Sequence, residues 1–411
     1  MKNKRLVFSW FLTGMLCGLM CGCGSKGNQP ELSAEGGEEI ILEKISTVPV
    51  HQRIDSVWCV PLETTDSSLV SSVFAVEVMD DRFYVLDGSC ASILIFDKQG
   101  HYLGGIYDQG PGPKEYIRIV DMKLDRLNKQ ILVTDQFSKK LLVYDRDGNW
   151  VKTVPFAYCE GIVVPFKGGR YVQVNDGREQ FLPDDMRPWN LTLFDDQGHP
   201  LANWLQDQTP NRIDLGMIWH VCTLDNGELL FKPLLASTLY RVREDSIVPE
   251  YRLINRLDGC KSLSESDLQN ISYIWGDEKC SYEDYFQSAY ILPESILNSD
   301  RYLCVYLYIV DKPCYVLYDK ESDRTEVISL KDDSPNDIKF YTVDDALWQL
   351  FSCFPRCVDG KAFYVELNHI HKLMMGDKDP GPKFGPIYDA LGENDNPVLV
   401  GYTLKSVDAD E

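Results

Sequence analysis

Positive charge is scarce in this chain. Its 41 Lys and Arg stand against 63 Asp and Glu, a net charge of −22, which excludes a protein that grips nucleic-acid backbones through counterion release. No apolar run is long enough to cross a bilayer: Leu6–Met20 has fifteen residues, where a spanning helix needs about 20. Six histidines leave little for His-based catalysis. The chain has no Walker loop, no G-x-G-x-x-G after a strand, no G-x-S-x-G elbow and no H-E-x-x-H. It also lacks C-x-x-C pairs and any zinc-like cysteine quartet. Neither a metal nor a cofactor is expected, and no catalytic residue is assigned. What remains, 44% hydrophobic, 11% aromatic and 25% charged residues, is ordinary globular composition.

The N-terminus carries targeting information. Lys2, Lys4 and Arg5 precede the apolar stretch, which ends in Met20-Cys21-Gly22-Cys23 and is followed by Gly24, Ser25, Lys26 and Gly27. A charged n-region, a short h-region and a small residue before a cysteine resemble a bacterial lipobox. That resemblance implies cleavage after residue 22 and lipid on Cys23; an ordinary cleaved signal or an uncleaved anchor is the alternative. Cys17 and Cys21 are poorer candidates, because Leu16 and Met20 are bulky at the position before the cut. Removing residues 1–22 takes away three positive charges and no negative one, so the mature chain moves from −22 to −25. Residues 23–47 read as a flexible tether, since Gly24–Gly37 is rich in Gly, Ser, Glu and Asn. Of the ten later cysteines, Cys260 and Cys280 lie in a loop-like insertion and are the best disulfide candidates.

The rest of the chain repeats. "ILIFDKQGHYL" (93–103), "LLVYDRDGNWV" (141–151) and "LTLFDDQGHPL" (191–201) each hold a strand, an Asp-x-x-Gly turn and a second strand. Asp97, Asp145 and Asp195 are 48 and 50 residues apart; Arg243 and Asp319 mark two degraded copies. Asp binding the backbone of its own turn, with Gly at positive φ, explains this motif without function. A calcium loop at Asp145 is rejected, because Trp150 and Phe156 stand where Gly and Glu are required. Further strands lie upstream of each turn, including candidate inner strands at 72–79, 117–124, 160–166, 217–224, 351–358 and, less clearly, 285–292. Four-strand units of about 50 residues predict an all-β, six-bladed propeller over 48–405, with an insertion at about 257–284 and a tail at 406–411. "RIDSVWCVPL" (53–62) and "NPVLVGYTL" (396–404) are left over at the two ends and are expected to close the ring by pairing in one blade.

The lipobox, "SVWCVPLETTDSSLVSSV" (56–73), "GPGPKEY" (110–116), "TLYRVREDSIVPEYRL" (238–253) and "NPVLVGYTLK" resemble the six-bladed β-propeller lipoproteins of gut-type Gram-negative bacteria, which are similar in shape to NHL-repeat propellers. The resemblance implies a propeller anchored by lipid to the outer membrane and carries no common reaction. In such rings, ligands are expected where inner strands from different blades converge. Arg118, Asp121, His220 and Arg356 fall in or beside the inner strands and are the candidate ligand-binding residues, with the two arginines suited to carboxylates such as acidic sugars. Trp189, Trp204 and Trp275 are weighed as sugar-stacking surfaces against ordinary core aromatics. The expectation is a lipid-anchored envelope module that binds glycans or a protein partner. The alternative is a propeller lyase or hydrolase acting on glycans through channel-lining Arg, His and carboxylates.

Overall fold

A computed structural model describes residues 31–32, 36–46, 53–89, 91–156, 161–175, 189–208, 220–271, 282–310, 312–329, 355–369 and 381–405. Cys23 and Cys280 lie outside them. Cys260 forms no disulfide with a described cysteine.

The N-terminal part contributes β1 (Glu31–Leu32), β2 (Glu38–Leu42), β3 (Ile45–Ser46) and β4 (Ile54–Pro61). The first antiparallel sheet is β5 (Val73–Met79), β6 (Arg82–Asp87), β7 (Ile93–Asp97) and β8 (Tyr102–Ile106). The second is β9 (Asp121–Asp125), β10 (Gln130–Asp135), β11 (Lys140–Asp145) and β12 (Trp150–Pro155), and the third is β13 (Ile162–Phe166), β14 (Arg170–Val174), β15 (Trp189–Phe194) and β16 (Pro200–Gln206). The fourth holds β17 (Val221–Thr223), β18 (Leu229–Phe231), β19 (Thr238–Val242) and β20 (Ser246–Asn255). The fifth adds β21 (Lys261–Ser262) beside β22 (Tyr290–Asn298), β23 (Tyr302–Ile309), β24 (Lys312–Asp319) and β25 (Arg324–Ser329). The sixth is β26 (Cys357–Asp359), β27 (Ala362–Leu367) and β28 (Val398–Leu404), with β4 from the other end of the chain as its outermost strand, Val398 opposite Pro61 and Leu404 opposite Ile54.

Second strands show why these sheets stack. Phe83, Tyr84, Val85 and Leu86 alternate between the two faces of β6, yet all four are wholly buried, so both faces of the sheet are covered by neighbours. The inner strands β5, β9, β13, β17, β22 and β26 pack each against the next, and β26 returns to β5. The fold is an all-β propeller.

The Asp-x-x-Gly turns form as the sequence predicts. Asp97 Oδ1 accepts the main-chain N–H groups of Gln99 and His101, both at 2.9 Å, and Asp195 does the same for Gln197 and His199. Glycine is needed at the turn for two reasons. Gly198 has φ +83°, and a Cβ there would sit 2.0 Å from the Pro155 carbonyl oxygen of the neighbouring sheet. At the opposite end of the strands, Asp87 and Asp135 pin the incoming connection: Ser71 N–H donates to Asp87 at 2.6 Å and Ile117 N–H to Asp135 at 2.9 Å. "GPGPKEY" is a braced connection, with Lys140 Nζ donating to the Gly112 carbonyl and Tyr116 buried below it.

Two expectations are corrected. The fifth inner strand is 290–298, since Tyr282–Phe286 forms a short helix, α2, after α1 (Glu265–Asn270). The segment expected to be a flexible tether, 23–47, contains paired strands. Glu38–Leu42 pairs in parallel with β20, and Ile45–Ser46 in parallel with β25. Ile40 and Leu42 are fully buried against Leu239, Tyr251 and Tyr318, whose hydroxyl donates to Glu38. Burying two aliphatic side chains stabilises this belt by about 1.5–3 kcal/mol each, enough to hold an otherwise polar segment on the ring.

Candidate functional site

Inner strands of five sheets enclose an axial cavity of about 100 Å³. Its wall is apolar at Ala75, Val78, Leu124, Val221, Ile296 and Val358, and polar at Glu77, Lys123, Arg126, Asn298 and Arg356. The alternation of β9 explains the pairing of Asp121 with Lys123, which project from the same face two residues apart. Lys123 Nζ donates to Asp121 Oδ1 at 3.0 Å and to the Met122 carbonyl at 3.2 Å, and lies 3.5 Å from Glu77 Oε1. Burial alone would lower the Lys123 ammonium, but these two carboxylates outweigh it and hold it above its ordinary value.

Each arginine is only partly engaged. Arg126 donates through Nε and Nη2 to the Val78 carbonyl at 3.3 and 3.1 Å and makes no ion pair with a described residue. Arg356 Nη2 lies 3.2 Å from Glu366 Oε2, while Asn368 donates to the other oxygen at 2.7 Å. Burial raises the Glu366 carboxyl, and Arg356 and Asn368 pull it partly back. The thiols of Cys222 and Cys357 also line the cavity. Burial pushes Cys222 up to about 12 and Cys357 higher, so neither is a thiolate at neutral pH.

Of the four sequence candidates, only Arg356 lines the cavity. Asp121 stands one contact behind the wall, through Lys123. Arg118 is displaced into solvent, because residues 117–120 form a connection and not a strand: Ile117 is pinned to Asp135 and Ile119 takes the buried position. His220 is buried away from the cavity, beside Lys232, whose N–H donates to its carbonyl at 2.9 Å. Burial, reinforced by Lys232, drives the imidazole well below its ordinary value. Glu77, Lys123 and Arg126 were not among the candidates; charged residues interrupting the apolar runs "AVEVM" and "DMKLD" were the available signal. Trp204 is core, packed edge-on against Phe166, and Trp275 lies outside the described residues.

The opposite character appears on the loops that precede the inner strands. Leu69, Tyr107 and Ile117 are exposed there, Tyr107 by 50%, and Phe137, exposed by 65%, lies in the β10–β11 turn at the same end of the second sheet. Hydrogen bonds brace the loops that carry them: Tyr107 hydroxyl to the Ser67 carbonyl, Gln109 to the Ile117 carbonyl, and Ile117 N–H to Asp135. Among the described residues, no helix is long and apolar enough to cross a membrane, and no group of three or more His, Cys, Asp or Glu could hold a metal ion.

A stacked ring of up-and-down sheets around an axial cavity defines the propeller class. Over residues 40–403 the chain matches the family described as Domain of unknown function (DUF4934), and it belongs to that family. A crystal structure of a Bacteroides fragilis protein described as exported is 17% identical, with a TM-score of 0.69 over 90% of this chain and 100% of that one. A member of the DUF4221 family from Bacteroides vulgatus is 11% identical, with a TM-score of 0.51 over 86% of this chain and 97% of its own. At these identities the likeness is one of fold. No curated protein matches the chain.

Proposed function

We propose that this protein is a lipid-anchored binding module of the bacterial envelope. Residues 1–22 are its signal, Cys23 carries the lipid in the outer membrane, each of the six sheets is one blade, and the loop end of the ring docks a protein partner. The observation that carries the docking is the exposure of Leu69, Tyr107, Ile117 and Phe137 at that end of the ring. Apolar and aromatic side chains exposed on a rigid frame are the usual anchors of a protein interface. At about 100 Å³ the axial cavity is too small to bury a whole sugar ring, so the acidic-sugar expectation for Arg356 gives way to this surface. A lyase or hydrolase would need an unengaged acid–base pair at the cavity, whereas Glu77 on its wall and Asp121 and Glu366 behind it each face a cation.

Two measurements test this reading. A fatty-acid analogue should label the wild type in cells and leave Cys23→Ala unlabelled; equal labelling removes the anchor. A photo-crosslinking residue at Phe137 should trap a discrete protein adduct in cells, and the same residue at Leu127, exposed at the other end of the blades, should not. Equal adducts from both positions, or none from Phe137, remove the docking surface.

A further inference from the structure

The axial cavity has the features of a binding site in its own right. Its cations are not balanced in the same way. Lys123 is saturated by Asp121, the Met122 carbonyl and Glu77. Arg126 spends two of its nitrogens on one carbonyl and has no carboxylate among the described residues; Arg356 shares a single nitrogen with Glu366. A guanidinium carries five donors in a planar fork that matches a carboxylate. Two such forks line the cavity, one from the second sheet and one from the sixth, and Ala75, Val78, Val221, Ile296 and Val358 share its wall; this lining suits a molecule with an anionic head and a short apolar tail. We propose that the axial cavity binds a small monocarboxylate, its head on Arg126 and Arg356 and its tail among the aliphatic residues.

Size sets the upper limit. A cavity of about 150 Å³ accommodates the six carbons of benzene, so one of about 100 Å³ takes roughly four or five non-hydrogen atoms, the size of acetate or propionate. The chain as a whole is strongly acidic, and repulsion from its field weakens anion entry. The site therefore discriminates by the local forks and not by net charge. It is independent of the lipid and of the exposed loop-end residues, neither of which contributes to its lining.

Titration of the purified protein with sodium acetate, sodium propionate and neutral acetamide at constant ionic strength, followed by NMR, tests the proposal. For ligands this small a dissociation constant of about 0.1–1 mM is expected. Acetamide should bind at least tenfold more weakly than acetate, since it has the same shape without the charge. Arg126→Met should weaken acetate at least tenfold, and Arg118→Ala, a solvent-exposed arginine outside the cavity, should leave it unchanged. Arg126→Lys, which keeps the charge and loses the fork, should fall between and decides the matter where Arg126→Met does not fold. Absence of saturable carboxylate binding, equal affinity for acetamide, or full affinity in both Arg126 variants overturns the site.

Discussion

Lys232 is the residue whose removal should stabilise this protein. It is wholly buried, and its ammonium is held by the Pro233 carbonyl at 3.1 Å and the Pro293 carbonyl at 3.0 Å, across the seam between the fourth and fifth sheets. Burial drives it from an ordinary value of 10.5 down to about 7, with the Glu294 carboxylate offsetting only part of that. The unfolded chain therefore binds a proton that the folded chain releases, and stability rises with pH between about 7 and 10.5 and is lowest below 7. Integrated, the folded state loses about 4 kcal/mol to this group at pH 7.5 and about 2 kcal/mol at pH 9. Lys232→Met fills the same space without the proton. It gives up two hydrogen bonds worth about 1 kcal/mol each, although the Pro233 carbonyl keeps the Ala236 N–H. The variant should then be about 2 kcal/mol more stable than the wild type at pH 7.5 and close to equal at pH 9. Urea unfolding at both pH values measures the difference, and comparison of the two proteins cancels the alkaline titration of the buried thiols. A stability difference that does not change between pH 6 and 9.5 would refute the reasoning.

Gly198→Ala should destabilise the fold by about 2 kcal/mol or more, because the new methyl meets a carbonyl oxygen at positive φ; thermal unfolding that matches the wild type would show that the turn can move aside. His101 should titrate above its ordinary value, since Asp97 accepts its ring N–H and holds the charged form, and NMR of Asp97→Asn should return it to normal. Truncation before Val398 removes β28, leaving β4 and β27 without their shared partner; the truncated chain should lose its cooperative unfolding transition.

The repeat made most of the fold legible. Asp97, Asp145 and Asp195 carry both the turn and its spacing, and local chemistry of that kind survives burial unchanged. Residues 285–292 misled because a strand and a short helix look alike over eight residues of mixed apolar character, and only tertiary packing separates them. The belt at Glu38–Leu42 was hidden by its neighbours: Gly24–Gly37 set the composition, while the two aliphatic residues that decide its burial occupy only "EEIIL". The site was less legible than the fold. Phase within an inner strand depends on where the strand starts, and four residues of connection before Asp121 sufficed to move Arg118 into solvent. Charges such as Glu77 and Lys123 sit where an apolar residue would be ordinary, and the sequence does not say which of those positions face the axis.

The belt and Lys232 concern the same seam. β2 lies on the outer strand of the fourth sheet and β3 on that of the fifth, so the belt bridges on the outside the junction that the buried lysine burdens within. His220, with its Nδ1 buried and unpartnered, adds a second group there that must stay neutral; Glu294 meets both, its carboxylate facing Lys232 and its main chain hydrogen-bonding His220. Tyr306 and Tyr308, hydrogen-bonded to each other at 3.0 Å, also lie near Glu294 and stay protonated at these pH values. Weakening the belt should therefore act locally before it acts globally. Leu42→Ala removes a fully buried side chain from the belt's core, a loss of about 2–5 kcal/mol. At pH 6, where the lysine is charged, hydrogen exchange in that variant should accelerate in β18–β20 and β22–β24 while β5–β12 keep wild-type protection. Adding Lys232→Met should restore much of the lost protection by removing the buried charge. Uniform acceleration across all six sheets, or no rescue by Lys232→Met, would mean that the belt stabilises the ring as a whole and does not staple this junction.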